Sequence, residues 1–329
     1  QLRFRAPEAI YEITLKKAAE FGAVYVPIKN TFEQNSALKP DESLFLEHLH
    51  PNIAGHHLLA DCFYNKLIDM ELKAMKINAM DFKPVAFEKA SVSFPITKVD
   101  SLYGEYGTLI LKQNWPFNEP LPDENTNTKS FEEALAGGMA VKQISWDAAM
   151  EKLYKHYHQN ENLTDALLVS ETVALMYPHH DLLQMKAGQL AFRLSNWEKS
   201  LKYFRTAHRI NPDKEKAKRI VQVLFKMNEL QSSIPYLMEI ISSDERGQVF
   251  REVKIAVQEI LEIEEQLDHS KVGKATRNKL DTMNKLAINY SLIGNLEKAR
   301  EIVENILKQE PQNLQSQHIL KEINLRINH

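Results

Sequence analysis

Asn196-Trp197-Glu198-Lys199-Ser200-Leu201-Lys202-Tyr203-Phe204-Arg205-Thr206-Ala207-His208-Arg209-Ile210-Asn211-Pro212-Asp213 is the stretch whose reading decides the fold. Ser200, Phe204 and Ala207 recur at helical spacing, so one face of a helix carries two small residues and one large aromatic. Pro212 then closes the segment, because proline cannot continue a helix. Pro178 stands 34 residues before Pro212, and each proline closes a helical hairpin. In the unit 181–214, Gly188 falls where the first helix needs a small residue to let its partner approach. Ser200 is then the small residue on the second helix at the tight crossing, and Phe204 fills the gap between the helices.

The same spacing extends in both directions, as fixed-period architectures require. The preceding unit, 147–180, keeps Ala166 and Pro178 but has Tyr154 where the small residue belongs. Ahead of it, Trp146, Ala149, Met150, Leu153, Tyr154 and Tyr157 fall at helical spacing behind Ser145 as N-cap. A last unit, 280–313, keeps Leu286, Tyr290, Ala299 and Pro311, with Gly294-Asn295 in its inter-helix turn. Residues 215–279 have the length of two further hairpins, within which Glu252 to Leu267 reads as one longer, highly charged helix.

The 34-residue period and the segment 196–213 resemble the tetratricopeptide (TPR) repeat. That resemblance implies a mainly α fold over 145–329, with antiparallel hairpins stacked into a superhelix. It also implies a concave face lined by residues that stacking leaves free. By register the groove residues are Glu151, Lys155, His158 and Gln159, then Met185, Gln189, Phe192 and Arg193, then Asn284 and Ile288. Such a mixed polar and apolar groove suits a protein or peptide partner. The groove could equally pack on the chain's own N-terminal part.

The beginning of the chain reads differently. Ala6 to Glu20 is an amphipathic helix stopped by Gly22, and 23–28 (AVYVPI) is a short apolar run expected as one buried strand. Residues 29–45 are polar loop, and a helix is expected from about Ile53 to Met75. Between lies Glu47-His48-Leu49-His50-Pro51-Asn52, with Gly55 close behind. A carboxylate three residues before a histidine on one loop can hold an imidazole in a single tautomer, as a general base requires.

This block resembles the last conserved block of SGNH (GDSL-type) hydrolases, a likeness that covers roughly the first quarter of the chain. It implies a small α/β fragment over 1–75, with His50 as general base and Glu47 orienting it. "LRFRAP" at 2–7 is similar to the segment that precedes this block in such proteins fused to TPRs. Glutamate stands where the family usually has aspartate. No Gly-Asp-Ser is present, so the nucleophile block would lie upstream of Gln1, and this chain alone is expected to be catalytically inactive. Gln1 opens in mid-pattern and reads as part of something longer.

Two rival readings use the same residues. His48, His50, His56 and His57 with Glu47 and Asp61 could hold a metal, although no recognised ligand spacing occurs. Alternatively Pro51-Asn52 simply cap a helix. The whole chain could equally be a non-enzymatic TPR module with a structural remnant of a hydrolase.

Residues 76–144 are broken by Pro84, Pro95, Pro116, Pro120 and Pro122. They are expected to form a linker region with a helix over Thr97 to Gln113 and a polar connector over 116–129. Only 10 glycines in 329 residues fit a mainly helical protein. A net charge of -3 gives no reason to expect nucleic acid, and one cysteine, Cys62, excludes an internal disulfide or a cysteine-built zinc site. No apolar stretch is long enough to span a membrane, and no cofactor motif occurs.

Overall fold

The computed structural model describes residues 8–35, 43–47, 49–75, 85–91, 94–115, 117–120, 129–242, 248–269 and 277–327. Among these residues there are sixteen α-helices and no strand beyond an isolated bridge between Phe45 and Pro51. The chain divides into two compact units, Gln1–Phe94 with Lys98–Gln143, and Pro95–Thr97 with Ile144–His329.

In the first unit, α1 (Glu8–Glu20), α2 (Ile28–Asn35) and α3 (Ile53–Met75) come first, then α4 (Phe87–Ser91), α5 (Lys98–Gln113) and α6 (Phe131–Ala140). Gly22 ends α1 as the sequence indicates: its φ is +65°, and the Ala23 N–H reaches back to Ala18 O at 2.8 Å. The strand expected at 23–28 is not formed. Ile28 already begins α2, with Pro27 just before the helix, and Val24 and Tyr25 are 47% and 38% exposed. A strand needs a ladder partner, and no described residue provides one. The α/β expectation for this region is therefore corrected to helix and irregular backbone. The segments 2–7 and 121–128 lie outside the described residues.

α5 and α6 pack on one another. α6 starts with a capping box: the Glu133 N–H donates to Ser130 Oγ at 3.2 Å, and the Ser130 N–H donates to Glu133 Oε2 at 2.6 Å. Leu135, Ala136 and Met139 form its buried face.

The second unit is a run of helical hairpins: α7 (Trp146–Gln159) with α8 (Leu163–Met176), α9 (Asp181–Arg193) with α10 (Trp197–Ile210), and α11 (Lys214–Lys226) with α12 (Leu230–Ser242). Next come the long α13 (Gln248–His269), then α14 (Arg277–Leu292), α15 (Leu296–Gln309) and α16 (Leu314–Ile327). Each helix packs on its sequence neighbours, the signature of a quasi-one-dimensional repeat stack. Residues 215–279, with room for two hairpins, contribute one hairpin and the single helix α13 among the described residues.

One device closes four hairpins. Glu161, Ser195, Asn228 and Gly294 all adopt positive φ, at 56°, 56°, 58° and 80°. The N–H of the following residue then bonds the carbonyl five positions back: Asn162 to Tyr157, Asn196 to Ala191, Glu229 to Leu224 and Asn295 to Tyr290, at 2.8 to 2.9 Å. Three of those following residues are asparagines whose side chains cap the next helix, accepting from the N–H groups of Asp165, Lys199 and Lys298. The residue that ends one helix geometry therefore begins the next, which fixes the hairpin angle.

The crossing in the second hairpin follows from residue size. Ser200 Oγ donates to Gly188 O at 2.9 Å, and a Cβ placed on Gly188 would stand 2.6 Å from the Phe204 ring. Phe204 is fully buried in a cluster with Leu201, Ile220, Val223 and Leu224. Toward the C-terminus a larger cluster runs from Ala217 on α11 to Ile323 on α16. Fully buried Tyr290 donates to Glu264 Oε1 at 2.6 Å, and Lys298 reaches the same oxygen at 3.1 Å, tying α13 to α14 and α15.

Candidate functional site

The groove residues named from the sequence divide into free and packed sets. Lys155, His158, Gln159, Gln189 and Arg193 are exposed on α7 and α9. Lys155 pairs with Glu151 at 2.5 Å, which holds the Glu151 carboxyl below its ordinary range. Arg193 Nη1 lies 3.5 Å from His158 Nε2, so the first helices of successive hairpins sit side by side here. Met185 and Phe192 are half-buried, packed against the Phe204 cluster, and Phe192 meets Trp197 edge to face at 5.1 Å. Asn284 is not in a groove at all. It is fully buried, and its Oδ1 accepts from Ser316 Oγ at 2.8 Å. The reason is α16, which lies over α14 where a following repeat would otherwise begin.

Sequence reasoning missed one feature of this unit. Between α7, α8 and α9 lies a cleft of about 390 Å³, floored by Met150, Val169, Val173 and Leu183 and walled by Tyr154 and Ser170. Asp147, Glu151, Tyr177, His180 and Lys186 complete its lining. Its origin is a reversal of size between two hairpins 34 residues apart. Where the second hairpin has Gly188 under Phe204, the first has Tyr154 and Ser170. The small serine, which bonds its own helix at Ala166 O, leaves unfilled the volume that Phe204 occupies one repeat later. Lys186 Nζ sits 3.2 Å from the Tyr154 ring centroid, and burial lowers its pKa. Tyr177 donates to Asp147 Oδ1 at 2.7 Å, which raises the phenol's pKa. The result is an apolar socket with a charged rim, suited to hold a side chain.

In the first unit, Glu47 and His50 do come together. The Glu47 carboxylate is only 2% exposed and accepts the Leu49 N–H at 2.9 Å and the His50 N–H at 3.0 Å. His50 Nδ1 lies against Glu47 Oε1, while the ring is 67% exposed. The two residues thus lie on neither opposite faces of a helix nor an apolar wall. The loop is held by Leu46 N–H to His50 O at 2.8 Å and Asn52 N–H to Leu44 O at 2.9 Å. Asn52 Oδ1 then caps α3 through the Gly55 N–H at 3.0 Å. Glycine is needed at 55, since a Cβ there would stand 2.2 Å from Leu44 O.

His48 of the proposed metal set lies outside the described residues. His57 is engaged by Asp61 at 3.5 Å and Val85 O at 3.1 Å, and no group of three potential ligands converges among the described residues. No described helix is long and apolar enough to cross a membrane.

Fold and cleft together define a class: a helical-hairpin repeat protein with a recess on the side where the first helices of the hairpins meet. No family model matches the chain, and no curated protein matches it in sequence. Among solved structures it is similar to YrrB, described as a TPR protein with an unusual peptide-binding site, at 16% identity and a TM-score of 0.32. That likeness covers 59% of this chain and 98% of the other. It is also similar to the TPR domain of P58(IPK), at 13% identity and a TM-score of 0.34, over 70% of this chain and 66% of the other.

Proposed function

We propose that the chain is a TPR-type scaffold that binds a protein or peptide segment across α7 and α9, with one apolar side chain in the Tyr154/Ser170 cleft. The carrying observation is that cleft: a space of about 390 Å³ lined by the apolar side chains Met150, Val169, Val173 and Leu183 together with the charged Asp147, Glu151 and Lys186. Anchor-in-socket recognition of this kind concentrates binding energy in one side chain. In this reading 145–329 is the binding array, 76–144 the linker region and 1–75 a separate element. Selection of binders from a random peptide library, followed by hydrogen exchange of the complex, tests it. Protection centred on α7, α8 and α9, with or without α11 beside them, is the expected outcome; protection that spares α7 and α9, or no binders, overturns it.

A second reading concerns residues 1–75, as the tail of an SGNH-like esterase or acyl hydrolase in which His50 acts as base and Glu47 orients it. The buried Glu47 carboxylate against an exposed His50 ring favours it, because a general base must be oriented on one nitrogen and open on the other. The exposed apolar side chains Ile10, Ile13, Phe63 and Leu67 would then be covered by an adjoining layer of the hydrolase. Ring ¹⁵N shifts of His50 decide: the Nδ1–H tautomer is expected, and an Nε2–H ring removes the role.

A further inference from the structure

A regular charged stripe crosses the hairpins that carry the cleft. Counting back from each positive-φ turn residue, the positions nine, six and two before it are Lys152, Lys155 and Gln159 on α7. On α9 they are Lys186, Gln189 and Arg193, and on α11 Arg219, Gln222 and Lys226. These offsets of three and seven residues fall on one side of a helix. Each row therefore supplies two cations and one glutamine, with no carboxylate among the nine. All are exposed except Lys186, which is half-buried over Tyr154.

Of the six cations, only Lys155 has an ion-pair partner among the described residues, the exposed Glu151. Arg219 bonds the stripe's own Gln222 at 3.2 Å. So sparsely compensated a row, with Glu151 acting on both Lys155 and Lys186, is notable in a chain whose net charge is -3. The pattern also has an end. The same three positions on α14 are Lys285, Ile288 and Leu292, where Lys285 is paired with Glu259 at 2.9 Å and the other two are apolar.

We infer that this stripe binds an extended acidic peptide running across α7, α9 and α11, with Asp or Glu side chains on the cations. The chemistry selects a peptide over other polyanions. A glutamine amide both donates and accepts, and so matches the alternating N–H and C=O of an extended main chain; a phosphodiester backbone offers acceptors alone. None of the nine stripe side chains is aromatic, and the neighbouring Tyr154 ring is covered by Lys186 at 3.2 Å, so the stripe offers no open ring for bases to stack on. Arg193 on α9 meets His158 on α7 at 3.5 Å and Lys216 on α11 meets Asp181 on α9 at 2.9 Å, so the three helices run side by side. At about 10 Å between adjacent helices and about 3.3 Å per residue of extended chain, acids roughly three residues apart meet successive rows. The Glu151–Lys155 pair is exposed at both ends and yields readily to a competing carboxylate.

This inference deepens the scaffold reading by naming the partner's chemistry, and it rests on that reading. The test uses the full chain and fluorescein-labelled peptides of about twelve residues, long enough to cross three rows. One carries Glu at every third position and the other Gln at the same positions; a single-stranded RNA of similar length is the third probe. Binding of the Glu peptide, at least tenfold tighter than the Gln peptide and weakened by added salt, is the expected result. The triple variant Lys152→Gln, Lys186→Gln, Arg219→Gln should cost roughly tenfold, a few exposed pairs' worth. Lys152→Gln with Arg219→Gln alone leaves the Lys186–Tyr154 contact intact and should lose a smaller factor, which separates charge from folding. Equal binding of both peptides overturns the stripe while leaving the scaffold standing. Preference for the RNA, or a triple variant that binds the Glu peptide unchanged, overturns it as well. Failure of both peptides on a chain that binds no library peptide overturns the two together.

Discussion

Phe204→Ala is expected to lower the stability of the repeat array by about 3–5 kcal/mol, the usual cost of emptying a buried aromatic site. Phe204 is fully buried, and its ring lies within van der Waals reach of the Gly188 backbone. Residue 188, which faces the ring from α9, has no side chain to follow it as it retreats. The complementary change, Gly188→Ala, should cost about 1–3 kcal/mol from the opposite cause, a methyl group driven into the ring. Urea unfolding followed by circular dichroism measures both. A loss below about 1 kcal/mol for Phe204→Ala would mean that the hairpin closes around the vacancy, and that the size argument for this crossing is wrong.

Gly55→Ala is expected to have the largest effect in the first unit. Its new methyl group would stand 2.2 Å from the Leu44 carbonyl oxygen and 2.9 Å from Pro51 Cβ. Both belong to the backbone frame that carries Glu47 and His50, so no flexible side chain can give way. Either the start of α3 or the loop must move, at a cost of about 1–3 kcal/mol or more. The displacement separates His50 Nδ1 from the Glu47 carboxylate, which itself remains held by the Leu49 N–H. The ring ¹⁵N shifts should then report a mixture of tautomers in place of one. Unchanged shifts and stability in Gly55→Ala would show that the dyad does not depend on this close approach.

Much of the second unit was legible because its rules are local. A proline 34 residues from another, a small residue opposite a large one, and Gly294-Asn295 between apolar stripes each specify a turn or a crossing by themselves. The helices Trp146–Gln159 and Ile53–Met75 followed from N-caps and spacing in the same way. What escaped depended on comparison between positions far apart. Tyr154 stood out in the sequence as a departure from glycine, but its meaning required setting Ser170 against Phe204 across the 34-residue period. The basic stripe required the same step three times. α6 was missed although its signal, Ser130 with Glu133, was present, because the prolines around it suggested a linker. The strand expected at 23–28 failed for a physical reason: apolar β-branched residues favour a strand only where a ladder partner exists. Asn284 misled for a similar reason, since repeat register cannot show that a further helix covers the last groove position.

The central claim, that the first hairpin's cleft is a binding socket, is tested most directly by closing the socket. The double variant Tyr154→Gly, Ser170→Phe gives the first hairpin the same size pattern as Gly188 and Phe204 in the second. It should fold, because the second hairpin already packs in that way, and its melting temperature provides the control. Titration of a library-selected peptide by fluorescence anisotropy against both proteins is the measurement. The account predicts a loss of at least about tenfold in affinity, the worth of one buried apolar side chain. Equal affinity for the open and the closed socket would contradict it.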